Sequence, residues 1–272
     1  MRNTITLILF FCLGALFIAL YSNDFKLPFK KSRLTPSVKT IFWKMGNTTI
    51  PIKIQQFGER NDIVYLNLHD DEITSVEATK NLLEKEGGML IEIENNQKRN
   101  IRFQSGSLFY TVDPNRIFSK NGITKSLSEN GRSSKKAITE VEKLAERILQ
   151  LFPENPFCII ALHNNTSGMY SATSYAPGNK RSSDARKVYI NKKHDADDFF
   201  LTTDENLYNQ LAETGFNTIL QDNKKCAEDG SLSVYCGKKN IRYVNLETEH
   251  DKPELYFEMM KKLISVLPAP AR

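Results

Sequence analysis

Two apolar runs constrain this chain more than anything else in it, because each ends on a histidine. Val64 to Leu68 is continuous and apolar-rich, as strands are when a parallel sheet is buried on both faces, and it leads straight into His69. Phe157 to Leu162 repeats the pattern and leads into His163. Parallel strands that finish alike bring their last residues to one edge of a sheet, and in open α/β folds ligands bind at that C-terminal edge. Glu72 follows His69 by three residues across a turn into a helix, so an imidazole nitrogen and a carboxylate oxygen can converge there. Alone, such a pair reads as a helix-start carboxylate beside an ordinary histidine. With His163 as third ligand it becomes a candidate zinc site. Zinc takes nitrogen and carboxylate ligands at about 2 Å, and a catalytic site keeps three protein ligands so that water can fill the fourth position.

The remaining segments alternate between strand and helix patterns. Thr40 to Lys44 and Thr49 to Gln55 flank Gly46-Asn47 and read as a hairpin. Asp70 or Asp71 is expected to cap a helix from Glu72 to Lys85 with Ile73, Val76, Leu82 and Leu83 facing inward, followed after Gly87-Gly88 by a strand from Met89 to Glu94. Ile101 to Val112 holds two short strand-like runs, and the polar stretch from Phe118 to Lys136 reads as a surface loop. Ala137, Val141, Leu144, Ile148 and Phe152 recur at helical spacing. The segment Gly178 to Lys193, with its six basic residues against Asp184 alone, reads as a solvated loop around a short strand at Val188 to Ile190. A helix capped at Thr203 or Asp204 ends at Gly215, a strand from Arg242 to Leu246 delivers Glu247, and Pro253 opens a terminal helix. The fold expected is one α/β domain, a mixed, mostly parallel sheet with helices on both faces.

A chain of 272 residues, 40% hydrophobic and 25% charged, suits one such domain. The net charge of +5 comes from scattered basic residues, which argues against a nucleic-acid partner. Ile5 to Tyr21 carries no charge; it is short for a membrane span of about 20 residues but suits an export signal. Residues 1–22 are therefore read as a signal peptide or an uncleaved signal anchor, 23–37 as a linker and 38–272 as the folded domain. That places the domain in the periplasm or cell envelope, with membrane contact only through residues 5–21. Of the four cysteines, Cys226 and Cys236 flank a turn-like Glu228-Asp229-Gly230-Ser231 and are expected to form a disulfide, the alternative being two free thiols in a hairpin.

Four segments then occur in order: His69-Asp70-Asp71-Glu72, Asp113-Pro114-Asn115-Arg116-Ile117-Phe118, Leu162-His163-Asn164-Asn165-Thr166 and Asn245-Leu246-Glu247. Over residues 60 to 265 they resemble the zinc carboxypeptidase superfamily, nearest its shorter branch with aspartoacylase and succinylglutamate desuccinylase. The resemblance implies zinc held by His69, Glu72 and His163, Glu247 as general base, and Asn115 and Arg116 binding the substrate carboxylate. Two departures stand out: Asp70 where the family has glycine, and Ala161 where an aspartate often precedes Leu-His. The second removes a carboxylate of the kind that orients a metal-binding histidine. Glu249, two residues beyond Glu247, is a rival base; His194 and His250 read as surface histidines. The expected activity is zinc-dependent cleavage, outside the cytoplasm, of an amide beside a free carboxylate. A peptide is the leading substrate, with cell-wall peptides as a candidate. The rivals are an N-acyl amino-acid deacylase and a non-catalytic envelope binding protein.

Overall fold

The sheet is built around strands that no solvent reaches. Every residue of β3 (Ile63–Asn67) and β7 (Cys158–Asn165) is buried. Side chains alternate across a strand, so Val64, Leu66, Ile159 and Ala161 enter one core while Ile63, Tyr65, Ile160 and Leu162 enter the other. This double burial explains why both strands read as unbroken apolar runs. The structure, a computed structural model, describes residues 33–168 and 170–267. The expected export segment and most of the expected linker lie outside these residues. Among the described residues no helix is long and apolar enough to cross a membrane.

The other elements are β1 (Ser37–Met45), β2 (Thr48–Phe57), α1 (Ile73–Glu86), β4 (Gly88–Ile93), β5 (Ile101–Ser105), β6 (Leu108–Val112), α2 (Lys120–Glu129), α3 (Lys135–Leu149), β8 (Ala185–Tyr189), β9 (Phe199–Thr202), α4 (Glu205–Glu213), β10 (Asn217–Gln221), α5 (Leu232–Lys238), β11 (Tyr243–Glu249) and α6 (Pro253–Val266). Nine strands form one mixed sheet in the order β1-β2-β4-β3-β7-β11-β9-β10-β8, and β5 and β6 pair separately. The run β4-β3-β7-β11 is parallel throughout, whereas the β1–β2 hairpin and the β10–β8 pair are antiparallel margins. Helices α1, α4 and α6 pack on one face; α2, α3, α5 and the β5–β6 pair pack on the other. The parallel centre matters for function, since the register sets Glu247 of β11 directly beside His163 of β7.

Local chemistry departs from expectation at four places. Residues 120–129, expected as loop, form α2: Ser119 caps it by accepting from the Gly122 amide at 3.1 Å, and Ile123 and Leu127 supply a narrow buried stripe. Neither Asp70 nor Asp71 caps α1; the amide of Ser75 in its first turn donates instead to Asn164 Oδ1 at 2.9 Å. Ile73, at that helix start, is 46% exposed rather than inward-facing. Cys226 and Cys236 are both free thiols. The expected hairpin is in fact a loop leading into α5, which turns Cys236 into the apolar core, away from the half-buried Cys226.

Candidate metal centre and its pocket

His69 lies just past the end of β3, and its carbonyl accepts from the Glu72 amide at 3.1 Å, closing the turn into α1. That turn brings Glu72 Oε1 to 3.0 Å from His69 Nδ1. From the neighbouring strand, His163 Nδ1 approaches the other oxygen, Oε2, at 2.9 Å. The two imidazole centroids are 5.2 Å apart, and one ligand atom from each of the three residues falls within 4.8 Å of the others. All three are buried. Two nitrogens and a carboxylate facing one another out of water suit a divalent ion, and the carboxylate bridges both rings.

The electrostatics follow from that bridge. Burial works against ionisation of Glu72, but the two imidazoles outweigh it and hold the carboxyl well below the usual range. Burial likewise disfavours a charged His69, yet Glu72 and Asp113 raise it to about 9. Asp113 Oδ1 sits 2.8 Å from His69 Nε2, so a carboxylate orients this histidine from behind. His163 has no such partner: its Nε2 is buried without a hydrogen bond, as the apolar Ala161 in the expected aspartate position foretells. The supporting carboxylate therefore serves the first histidine.

Glu247 is buried, and its Oε1 accepts from Asn245 Nδ2 at 3.0 Å. Burial raises its carboxyl, and the charge of Glu72 adds to the rise against the pull of His163. Glu249 does not share this environment. It is bound to Lys252 beyond the strand end and does not line the pocket.

Asn115 and Arg116 stand on a single 3-10 turn, Pro114–Arg116, whose start is capped by Asp113 Oδ1 accepting from the Asn115 amide at 2.8 Å. Arg116 Nη1 donates to the Asn115 carbonyl at 2.7 Å and faces Asp229 at 3.7 Å, while Asn115 Oδ1 accepts from the Leu232 amide at 3.1 Å. The loop carrying Asp229 approaches closely enough to need glycine on both sides. A Cβ on Gly230 (φ +77°) would lie 2.6 Å from the Arg116 carbonyl oxygen, and one on Gly122 would lie 2.4 Å from the Gly230 Cα.

Glu72, His163, Glu247, Asn115 and Arg116 all line one cavity of about 560 Å³, the size of a small-molecule or short-peptide site. Three features of the site escape the sequence reading. Asp113 belongs to a quoted motif but has no role until the fold brings it to His69. Arg99, on the loop after β4, places Nη1 2.6 Å from Glu72 Oε1. Arg181, in the segment read as solvated, lies over the rings of Tyr170 and Tyr175 at 5.2 and 5.9 Å and forms part of the cavity wall. A run of positive charge looks the same on paper whether it faces solvent or a pocket. His250 is exposed at the cavity rim, and the half-buried His194 packs on Phe216 at 4.6 Å; neither joins the metal cluster.

The fold is similar to that of an aspartoacylase-family protein from Mesorhizobium loti, with a TM-score of 0.44 and 12% identity over 90% of this chain and 71% of that one. Murein-tripeptide amidase MpaA from Escherichia coli O157 is similar with a TM-score of 0.44 and 15% identity over 89% of this chain and 97% of that one. Cytosol aminopeptidase from Coxiella burnetii is similar with a TM-score of 0.39 and 9% identity over 86% and 62%. No family model matches the chain, and no curated protein matches it in sequence. The functional reading rests on the residues of the site.

Proposed function

We propose that this chain is an exported zinc hydrolase that cleaves an amide bond next to a free carboxylate, with a peptide as substrate and cell-wall peptides as the leading candidate. One observation carries the reading: Glu72 spans the Nδ1 atoms of His69 and His163 at the ends of adjacent parallel strands, with Glu247 in register beside them. His69, Glu72 and His163 would hold the metal, which when bound supplies Lewis acidity toward the scissile carbonyl and toward water. Asp113 keeps the His69 ring turned to present Nδ1. Glu247, whose Oε1 accepts from Asn245, takes the proton of the attacking water and returns it to the leaving amine. Arg116 meets the carboxylate of the leaving residue with its planar fork, and Asn115, held by Leu232, fixes the turn that presents it. The uncharged run from Ile5 to Tyr21 motivates export.

The experiment is metal analysis of residues 34–272, which form one compact unit, followed by incubation with peptides, muropeptides and acylated amino acids. One zinc per chain and release of a carboxyl-terminal residue are expected, and His69→Ala or His163→Ala should each abolish zinc uptake. Stoichiometric zinc surviving both substitutions would sink the ligand assignment. Zinc without turnover of any of the three substrate classes would leave a binding protein.

A further inference from the structure

The contact between Arg99 and Glu72 has no part in the reaction above, yet the loop that makes it is elaborately held. Within residues 94–100, Asn96 and Gln97 both adopt left-handed backbone, with φ of 52° and 55°. That conformation is disfavoured for residues that carry a Cβ, and two in succession need external support. Asp70 supplies it: its Oδ2 accepts from the Asn95 amide at 2.6 Å and from the Gln97 amide at 2.8 Å. The Asn95 side chain adds bonds to the Lys98 and Asn100 carbonyls at 2.8 and 2.9 Å. Asp70 adjoins His69 and stands where the resembled family has glycine, a residue with no carboxylate to offer. The result is delivery of Arg99 Nη1 to within 2.6 Å of Glu72 Oε1, the oxygen that also faces His69 Nδ1. Glu72 is 1% exposed and the Arg99 side chain 49%, so the guanidinium reaches a buried carboxylate from the cavity side.

We propose that Arg99 is a resident counter-ion of Glu72 which an arriving divalent ion must displace, and that Asp70 is the positioning residue that holds it there. The inference rests on the metal reading above. Two cations cannot share one buried carboxylate oxygen without repelling each other, so a guanidinium paired with Glu72 weakens metal binding there. Displacement frees the guanidinium into the cavity, where its donors face whatever occupies the pocket.

The test measures zinc affinity by competition with a chromophoric chelator, together with the melting temperature of the metal-free and zinc-loaded forms. Arg99→Gln should tighten zinc binding at least tenfold and lower the melting temperature of the metal-free form while leaving the loaded form nearly unchanged. Arg99→Lys, which keeps the charge, should fall between Gln and the native residue. Asp70→Ser should speed amide hydrogen exchange at Asn95 and Gln97, and in that background Arg99→Gln should change zinc affinity less than threefold, the signature of coupling in a double-mutant cycle. A native chain that takes up no zinc would sink both the metal reading and this inference. A native chain that binds zinc, with Arg99→Gln binding it equally or more weakly, would overturn this inference alone. An Arg99→Gln effect of the same size with and without Asp70 would overturn the positioning role.

Discussion

As the proposed base, Glu247 must carry a charge in a place that resists charge. Burial and the neighbouring Glu72 carboxylate both raise its carboxyl above the ordinary glutamate range, and a divalent ion held by His69, Glu72 and His163 would pull it back down. Turnover needs the deprotonated form, so kcat/KM should fall as pH is lowered through the titration of Glu247. Glu247→Gln should retain zinc and fold, lose roughly 10²–10⁴ in kcat, and lose this acid limb. Glu249→Gln, at a residue already bound to Lys252, should change kcat by less than about twofold; reversed effects would transfer the base to Glu249. Arg116 makes a second residue-scale prediction. A charge-assisted paired hydrogen bond contributes about 1.5–3 kcal/mol, so Arg116→Ala should lower kcat/KM by roughly two orders of magnitude on a free-acid substrate. On the matched amide, already a poor substrate, the substitution should do little. Equal losses on acid and amide would assign Arg116 to the fold rather than to the carboxylate. The cluster of His69, Glu72 and His163, with Glu247 in register beside it, was legible because His69, His163 and Glu247 each follow an apolar run, and a strand end is a coordinate that periodicity supplies. Asp113 and Arg99 were not, since their roles exist only where separate loops meet.

At the scale of elements, the turn that carries Arg116 depends on an approach that only glycine permits. Gly230→Ala adds a Cβ 2.6 Å from the Arg116 carbonyl oxygen in a left-handed backbone. Strain of about 1–2 kcal/mol and overpacking of about 1–3 kcal/mol together predict a loss of several kcal/mol, seen as a lower urea midpoint. The displaced turn should also cost kcat/KM and, because Asp113 both caps it and orients His69, weaken zinc binding as well. An unchanged midpoint would mean that the loop yields freely. Sequence periodicity found α1, α3 and α6, whose buried stripes span about two turns or more, whereas the Asp204 cap and Gly215 marked α4. It missed α2, whose stripe rests on Ile123 and Leu127 with Gly122 between the cap and the first of them. It also set Cys226 and Cys236 in a hairpin, where the buried residues Leu232, Val234 and Cys236 instead belong to α5. Seven residues are too few for helical spacing to stand apart from alternation.

Among the described residues, the parallel centre β4-β3-β7-β11 collects the residues of the proposed reaction on one sheet edge from distant parts of the chain. Glu72 and His163, which touch, are 91 residues apart in sequence. This separation sets an order of events. Parallel pairing over such spans closes large loops before any contact is gained, which makes folding slow. The ligand set therefore comes into being only with the finished sheet, and an ion cannot template a structure whose ligands have not yet met. Zinc should accordingly leave the refolding rate unchanged within about twofold while slowing unfolding, the pattern for interactions absent from the transition state. Stopped-flow refolding and unfolding in urea, with zinc and with chelator, would measure both limbs, and acceleration of refolding by zinc would show that the ligands assemble early. A chain crossing a membrane unfolded would on this account arrive without its metal and acquire it only after folding on the far side.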